Sequence, residues 1–292
     1  MVDDTTSVKN HTLGVIPARW ASSRFPGKPL HLINQKPLVQ HVWERCQQCT
    51  KLDHLVIATD DQRIYDAAQS FGADVVMTAS SHPTGTDRIA EATNLFPDTT
   101  HVINIQGDEP LIDPDLIDQL VIALHDDKDI AMATAANAID DEALLIDPNV
   151  VKCVLALNGD ALYFSRSPLP FRRCENTPLQ LYRHKGIYAY QRDFLEKFID
   201  WTPSPLEQAE SLEQLRALEN NARIRVIITD DESPGVLIIS NSSTMRTCII
   251  SVIVLRGTLR SPIVLFPIIH SCWSASEGSD CDFPYSILSS SA

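Results

Sequence analysis

The chain has 292 residues, 44% of them hydrophobic, and a formal net charge of −14 at neutral pH. This length predicts one large α/β domain, or one such domain with a small appendage. The acidic balance excludes the basic surface with which proteins bind nucleic acid, so a nucleotide bound here is expected to be a small ligand. The first ten residues lack the pattern of a secretory signal.

Seven cysteines include one CxxC pair, Cys46 and Cys49. No second pair and no matching pair of histidines completes a zinc-binding set in the sequence. We therefore interpret the cysteines as free thiols in a reducing compartment, with a redox role for the CxxC pair as the weaker alternative.

Strands and helices alternate at short spacing through the first half of the chain. Strands are predicted at residues 13–16, 54–58, 74–77 and 101–105, and helices at 38–49, 64–71, 86–94 and 114–124. Gly72 is placed to end the second helix. This alternation predicts a mostly parallel sheet covered on both faces, with ligands bound in the loops that follow Ile16, Ala58, Met77 and Ile105.

The second half is more mixed. Strands are predicted at residues 130–135, 151–157, 161–164, 186–190 and 225–229. One helix is predicted to run from Ser204 to about Glu219, because Ser204, Pro205 and Glu207 form the pattern of a capping box with proline at the first helical position. After residue 236 the sequence contains no lysine, and arginine and proline interrupt its apolar stretches, so no membrane span is predicted.

A loop suited to phosphate follows the first predicted strand. The segment from Pro17 to Leu30 reads PARWASSRFPGKPL and combines arginines, small residues and a Gly-Lys pair. Arginine binds phosphate oxygens through its fork of donors, lysine adds a compact charge, and small residues let backbone N–H groups approach. The segment is not a Walker A loop. The alternative interpretation is a solvated basic loop.

Two further segments follow predicted strands. Asp108 comes just after the fourth strand, where a carboxylate suits Mg²⁺ and substrate phosphates. The alternative for residues 108–110 is a turn that begins a helix. Residues 84–88 read TGTDR and are suited either to a nucleotide contact or simply to a helix cap.

These segments together resemble the CMP-Kdo synthetases, the 3-deoxy-manno-octulosonate cytidylyltransferase family. The resemblance covers residues 12–236 and rests on blocks that occur in the family's order: PARWASSRFPGKPL, ATDD, TGTDR, NIQGDEP, ALYFSR, RHKGIY and ESLEQLR. It implies a Rossmann-like, mostly parallel sheet of the nucleotide-diphospho-sugar transferase type. It also implies a reaction in which CTP and the sugar acid Kdo give CMP-Kdo and pyrophosphate.

The resemblance implies a role for particular residues. It makes Arg19, Lys28 and Asp108 catalytic, with Asp108 as a Mg²⁺ ligand. The residues that it assigns to the nucleotide are Pro17, Ala18, Arg19, Lys28, Gly85, Arg88 and Gln106. Those that it assigns to the sugar acid are Arg166, His184, Tyr188, Glu210, Glu213 and Gln214. Without the resemblance, the last three would form the solvated stripe of one helix. Lys185 departs from the family, in which many members have leucine.

A larger departure follows Val236. The family continues with a segment of the form GVDTPEDL, whose first aspartate is a metal ligand and whose remainder begins a helix. Here Leu237 follows Gly235 and Val236. We therefore divide the chain into a cytidylyltransferase domain, 1–236, and an atypical tail, 237–292, expected to be disordered or translated in a shifted reading frame. Loss of the ligand predicts weaker Mg²⁺ binding by about 10–100-fold or more, unless Asp230 or Asp231 replaces it.

Two alternatives remain at this point. One is a nucleotide- or sugar-binding relative without full activity, and the other is a cytidylyltransferase for a different sugar acid. The resemblance further implies a cytoplasmic homodimer whose product feeds lipopolysaccharide in Gram-negative bacteria or pectin in plants.

Overall fold

The computed structural model describes residues 10–21, 26–174 and 179–231, together with three short backbone strands farther along the chain. The strands are β1 Thr12–Ala18, β2 Leu32–Ile33, β3 Lys36–Pro37, β4 His54–Thr59, β5 Asp74–Met77, β6 His101–Asn104, β7 Met132–Ile139, β8 Lys152–Leu155, β9 Ala161–Ser165, β10 Leu181–Gln191, β11 Ile224–Ile228, β12 Val236–Ile239, β13 Ser251–Leu255 and β14 Phe266–Ile268. The helices are α1 Leu38–Cys46, α2 Gln62–Ser70, α3 Gly85–Thr93, α4 Pro114–Asp126, α5 Glu142–Ile146, α6 Arg192–Asp200, α7 Pro205–Glu210 and α8 Gln214–Glu219, with a 3-10 turn at Lys28–Leu30.

The main sheet has the strand order β11-β7-β10-β6-β1-β4-β5. Strand β10 pairs antiparallel with β6 and β7, whereas the other pairs along this order are parallel. Strands β8 and β9 extend the sheet as an antiparallel pair beside β10. The predicted mostly parallel α/β sheet is confirmed, and the carboxyl ends of β1, β4, β6, β7 and β11 lie along one edge.

Both faces of the sheet are covered. One face packs against α1, α2 and α4 through a cluster that includes Ile16, Ile57 and Ile103. The other face packs against α3, α6 and α8 through a cluster that includes Val15 and Val102. Adjacent residues of each strand enter opposite clusters, which explains why the central strands read as continuous apolar runs.

The elements of the first half agree with the prediction to within a few residues. Gly72 ends α2 with φ of +85°, as predicted for a helix stop. The larger difference is in β10, which begins at Leu181 rather than 186 and has an irregular register between Lys185 and Tyr188. Its N-terminal half was not predicted because RHK does not have the alternating apolar pattern of a strand.

The single helix predicted over residues 204–219 is wrong, since α7 and α8 are separate. Glu207 accepts the Ser204 N–H at 3.0 Å, which is the carboxylate half of the predicted capping box. Ser211 then adopts a left-handed conformation, with φ of 53° and ψ of 49°. Arg166 donates to the carbonyl oxygens of Glu210 at 2.7 Å and Ser211 at 3.4 Å, which in a continuous helix would accept from residues 214 and 215. The break turns α8 away from the axis of α7.

Beyond residue 231 the structure describes only β12, β13 and β14, which pair antiparallel in that order. The remainder of the predicted tail, 237–292, lies outside the described residues. The division of the chain at residue 236 therefore stays a prediction. In the part of the chain that the structure describes, no helix has the length and apolar character that crossing a membrane requires.

Candidate functional site

Two neighbouring cavities open at the carboxyl edge of the main sheet. The smaller, of about 240 Å³, is lined by residues at the end of β1 and in the loops after β1 and β6: Pro17, Arg19, Lys28, Pro29, Gln106, Gly107 and Asp108. The larger, of about 460 Å³, lies around β10 and the turn between α7 and α8. Asp108 lines the smaller cavity, and the next residue, Glu109, lines the larger one. The two cavities therefore meet at the loop after β6.

The smaller cavity brings together most of the charged groups predicted to hold phosphates. Arg19 is exposed at its mouth, and Lys28 donates to Asp108 across it, with 2.6 Å between Nζ and Oδ2. The side chain of Asp108 is 44% exposed and that of Lys28 is 24% exposed. Because this pair is open to solvent, an incoming anion can compete with Asp108 for the Lys28 ammonium group.

Backbone geometry keeps the loop after β6 close to the loop after β1. A Cβ atom at Gly107 would lie 3.0 Å from the carbonyl oxygen of Pro17, so a side chain there would push the two loops apart. Gly107 thus allows Gln106 and Asp108 to face the same cavity as Arg19 and Lys28.

The other predicted nucleotide residues lie beside the smaller cavity rather than in its lining. Ala18 is 1% exposed, with its side chain in the core, so only its backbone is available. Gly85 is the first residue of α3 and adjoins Pro17. Arg88 is 3% exposed and donates to Asp60 at 2.9 Å and to Thr78. Its guanidinium group therefore supports the loop after β4 instead of lining the cavity.

The larger cavity contains four of the predicted sugar residues, His184, Tyr188, Glu213 and Gln214. The ring of His184 lies between Phe164 and Tyr188, at centroid distances of 4.9 and 5.5 Å, and Nε2 lies 2.8 Å from the Thr134 hydroxyl. Burial lowers the pKa of His184 to about 3, so the ring is neutral at pH 7. The resemblance assigns His184 to the sugar acid, and a neutral ring cannot attract the carboxylate of that acid as a cation would. The ring offers a neutral hydrogen-bonding group instead.

The opposite wall of the larger cavity comes from the α7–α8 turn. The Tyr188 hydroxyl donates to Gln214 Oε1 at 3.2 Å, and the Thr86 hydroxyl donates to Glu213 Oε2 at 2.7 Å. Burial raises the pKa of Glu213. Gln214 is 3% exposed, and its Nε2 is among the described buried atoms that have no hydrogen-bond partner. A buried donor without a partner is costly, and a ligand hydroxyl in this cavity would remove that cost.

Arg166 and Glu210, also predicted to bind the sugar, do not line the larger cavity. Glu210 accepts from the Ser165 hydroxyl at 2.5 Å and from the Arg166 N–H at 2.9 Å. The Arg166 guanidinium group is bonded to the carbonyl oxygens of Glu210, Ser211 and Pro148. The two residues hold the α7–α8 turn, and the turn in turn presents Glu213 and Gln214 to the cavity.

A buried ion-pair cluster forms a further part of the larger cavity, and its role was not predicted from the sequence. Lys185 is 7% exposed, with its Nζ 2.6 Å from Asp231 Oδ2 and 3.8 Å from Glu109 Oε2. Burial raises the pKa of Glu109 to about 7, against the lowering effect of the Lys185 ammonium group. Asn137 donates to the carbonyl oxygens of Thr229 and Asp231. In the sequence, the one indication of this cluster was that Lys185 stands where many members of the family have leucine.

Asp108 is the residue whose chemistry fits a divalent cation. Its half-exposed carboxylate faces a cavity that also contains the Gln106 amide, and oxygen donors of this kind suit Mg²⁺ together with substrate phosphates. Within the described ranges, no three His, Cys, Asp or Glu side chains converge in a metal-binding group. Asp231, considered as a replacement for the missing aspartate, is instead paired with Lys185.

The CxxC pair lies away from both cavities, at the end of α1. Cys46 and Cys49 are free thiols. Burial raises the pKa of both, that of Cys49 to about 12, which keeps them protonated and unreactive.

Comparison with known proteins identifies the family of this chain. A family model described as "Cytidylyltransferase" matches residues 13–224. The 3-deoxy-manno-octulosonate cytidylyltransferase of Solibacter usitatus is 51% identical over 77% of this chain and 88% of its own length. The protein of the same name from Pelobacter propionicus is 50% identical over 76% of this chain and 91% of its own length.

A solved structure carries the same identification. It is a CMP:2-keto-3-deoxy-manno-octonic acid synthetase complexed with CTP, 42% identical to this chain with a TM-score of 0.74, and the match covers 77% of this chain and 92% of that one. The chain belongs to the cytidylyltransferase family, and within it to the 3-deoxy-manno-octulosonate cytidylyltransferases.

Proposed function

We propose that this chain transfers CMP from CTP to 3-deoxy-manno-octulosonate, giving CMP-Kdo and pyrophosphate. The observation that carries the proposal is the junction at Asp108 and Glu109, where a cavity lined by cations meets a cavity lined by hydrogen-bonding groups. A triphosphate needs the first kind of cavity, and a polyhydroxylated sugar acid needs the second. Relatives that are about half identical to this chain carry the same activity in their names.

The triphosphate is assigned to the smaller cavity. Arg19 and Lys28 would bind phosphate oxygens, the first through its fork of donors and the second as a compact charge. Lys28 would exchange its Asp108 partner for phosphate on binding. The Gly85 N–H, at the first residue of α3, would supply a backbone donor beside Pro17, since the Thr84 hydroxyl already accepts the Thr86 and Asp87 N–H groups.

Asp108 would hold Mg²⁺, with Gln106 beside it. When bound, the ion would neutralise charge on the α-phosphate and lower the pKa of the attacking hydroxyl. Loss of the second aspartate at position 237 is expected to weaken this binding, since Asp231 is held by Lys185.

The sugar acid is assigned to the larger cavity. Gln214 Nε2 would donate to a sugar hydroxyl, and the Glu213 carboxylate would accept from another. His184, being neutral, would orient the sugar by a hydrogen bond rather than attract its carboxylate. The α7–α8 turn, held by Arg166 and Glu210, fixes the positions of these groups before the substrate arrives.

The chemical step is a single displacement at the α-phosphorus. The anomeric oxygen forms the new bond to phosphorus, the bond from phosphorus to the bridging oxygen of pyrophosphate breaks, and the hydroxyl proton leaves to solvent. Holding the two substrates at adjacent residues, 108 and 109, lowers the entropic cost of their encounter. Fixed cations stabilise the charge that develops on the phosphate oxygens.

Pyrophosphate release with CTP, Kdo and Mg²⁺ tests the proposal. Turnover is expected with this combination, and much lower rates with ATP or UTP in place of CTP, or with a sialic acid in place of Kdo. If the purified chain binds CTP without releasing pyrophosphate at any Mg²⁺ concentration, it is a binding protein and the enzymatic proposal is wrong.

The proposal extends to the setting of the enzyme. Its family resemblance supports a homodimer that acts in the cytoplasm and supplies an activated sugar acid for lipopolysaccharide. Light scattering of the purified chain tests the dimer: a monomer mass at micromolar concentration would contradict it. Cell fractionation tests the location.

A further inference from the structure

A backbone hydrogen bond joins the two described ends of the segment that lies between Arg19 and Lys28. The Gly27 N–H donates to the Trp20 carbonyl oxygen at 3.0 Å. Arg19 directly precedes Trp20, and Lys28 directly follows Gly27. This bond therefore sets the separation of the two cations that face the smaller cavity.

Arg63 and Gly27 both lie against the indole ring of Trp20. The Arg63 guanidinium carbon lies 3.2 Å from the centroid of the ring. Gly27 lies against the ring with φ of +74°, and a Cβ atom at Gly27 would come within 2.8 Å of the indole. Trp20 thus contacts both the loop end that carries Lys28 and a side chain of α2.

Arg63 is itself held in place. Asp61, the N-cap of α2, accepts from Arg63 Nε at 2.8 Å and from its terminal nitrogen at 2.7 Å. A guanidinium group that donates two hydrogen bonds to one carboxylate is held in a fixed plane. A lysine ammonium group at this position would not be oriented in this way, because it is a compact point charge. The backbone of Trp20 has a second anchor, because its N–H donates to Asp60 at 3.4 Å and Asp60 is paired with Arg88.

We propose that Trp20 and Arg63 form a clamp that fixes the spacing of Arg19 and Lys28 for a nucleoside triphosphate. Both are positioning residues, since neither lines the smaller cavity. The inference rests on the proposed function for its ligand and adds to it the device that pre-arranges the phosphate-binding cations. It assigns a role in nucleotide affinity to an exposed arginine on the surface of α2.

Arg63→Ala and Arg63→Lys, measured in the full-length chain, test the clamp in two ways. Hydrogen exchange of the Gly27 amide is expected to be about fivefold faster in both variants, since an exposed cation–π contact on tryptophan has about this effect. The Kd for CTP is expected to rise by a similar factor, while the KM for Kdo stays within about twofold of the wild-type value. Lys36→Ala, which removes a surface cation paired with Glu44 at 2.8 Å, is the matched control and leaves both values unchanged.

Arg63→Lys separates the clamp from simple attraction of charge. If the lysine variant keeps wild-type affinity for CTP while the alanine variant loses it, charge alone is responsible and the clamp is wrong. Unchanged exchange at Gly27 in both variants also overturns it. If the wild-type chain binds no CTP, the proposed function fails, whereas the exchange rate of Gly27 still decides whether Arg63 closes the loop.

Discussion

Each cavity is lined by a lysine that is paired with an aspartate, and the two pairs have the same N–O distance in different surroundings. Lys28 and Asp108 are 2.6 Å apart with side chains 24% and 44% exposed, whereas Lys185 and Asp231 are 2.6 Å apart with side chains 7% and 10% exposed. Water competes with the first pair and is excluded from the second. The N–O distance alone therefore does not show whether a substrate can displace one partner of an ion pair or whether the pair stabilises the fold. The burial of the two side chains distinguishes these cases.

Removing the buried cation should have the largest effect on stability. Lys185→Met leaves the Asp231 and Glu109 carboxylates buried beside each other without the ammonium group, at a cost of about 3–5 kcal/mol in the free energy of unfolding. Urea titration measures this. The double variant Lys185→Met, Asp231→Asn is the control and should recover more than half of the loss. Equal urea midpoints for the wild type and Lys185→Met would show that the buried Lys185–Asp231 pair contributes no more to stability than an exposed pair does.

The exposed pair should show the opposite behaviour. Asp108→Asn is expected to lower kcat by about 100–1000-fold, because it removes the carboxylate proposed to hold Mg²⁺ at the reacting phosphate. The urea midpoint should stay nearly unchanged, since the pair with Lys28 is open to water. Steady-state rates and urea titration of the same preparation measure both quantities. A large loss of stability would mean that Asp108 is structural.

Acid should destabilise the fold through its buried imidazoles. The pKa of His184 in the larger cavity is lowered by burial to about 3, and that of His101, at the opposite edge of the sheet, to about 4, from an ordinary value of 6.5. Between the lowered pKa values of the folded protein and the ordinary value of 6.5, the unfolded chain binds more protons than the folded chain does. The free energy of unfolding therefore falls as the pH drops below 6.5 and levels off near pH 3–4.

His101 accounts for up to about 3 kcal/mol of this loss. His101→Gln should therefore flatten part of the acid limb in thermal melts recorded from pH 7 to pH 4, and His184→Gln should flatten another part. In contrast, the KM for Kdo should show no titration of His184 between pH 6 and 9. A bell-shaped dependence that disappears in His184→Gln would contradict a neutral ring.

The smallest expected effect concerns Gln214. Gln214→Met approximately keeps the volume of the side chain and removes the buried Nε2 donor, which has no described partner. It also removes the hydrogen bond that the Tyr188 hydroxyl donates to Gln214 Oε1. The KM for Kdo should rise about tenfold, while stability changes by less than about 1 kcal/mol. Tyr188→Phe removes the same bond but keeps the Gln214 amide, so it is expected to raise the KM for Kdo less than Gln214→Met does. An unchanged KM in Gln214→Met would place the sugar elsewhere.

The sequence was sufficient for the sheet and for the smaller cavity. Buried strands read as apolar runs because both sheet faces are covered, and the residues proposed to bind phosphate are contiguous with two strand ends. Pro17, Arg19, Lys28, Gln106 and Asp108 therefore come together simply because β1 and β6 are neighbours.

The larger cavity was harder to predict because it depends on contacts between residues distant in the chain. The break between α7 and α8 results from Arg166, which lies 44 residues before the Glu210 carbonyl that it binds. Ser211 alone gives no signal of a left-handed residue. Nor does the sequence near Lys185 indicate that its partners are Asp231 and Glu109. The helical spacing of Glu210, Glu213 and Gln214 was misleading, because α7 ends at Glu210 and a separate helix begins at Gln214.

The sharing of one loop by the two cavities also bears on how two substrates bound there would be placed. Asp108 and Glu109 face different cavities but are joined by one peptide bond, so their Cα atoms are about 3.8 Å apart in every conformation of the chain. Ligands that contact these two side chains would therefore be held by one short segment of backbone, and the conformation of that segment would set where they meet.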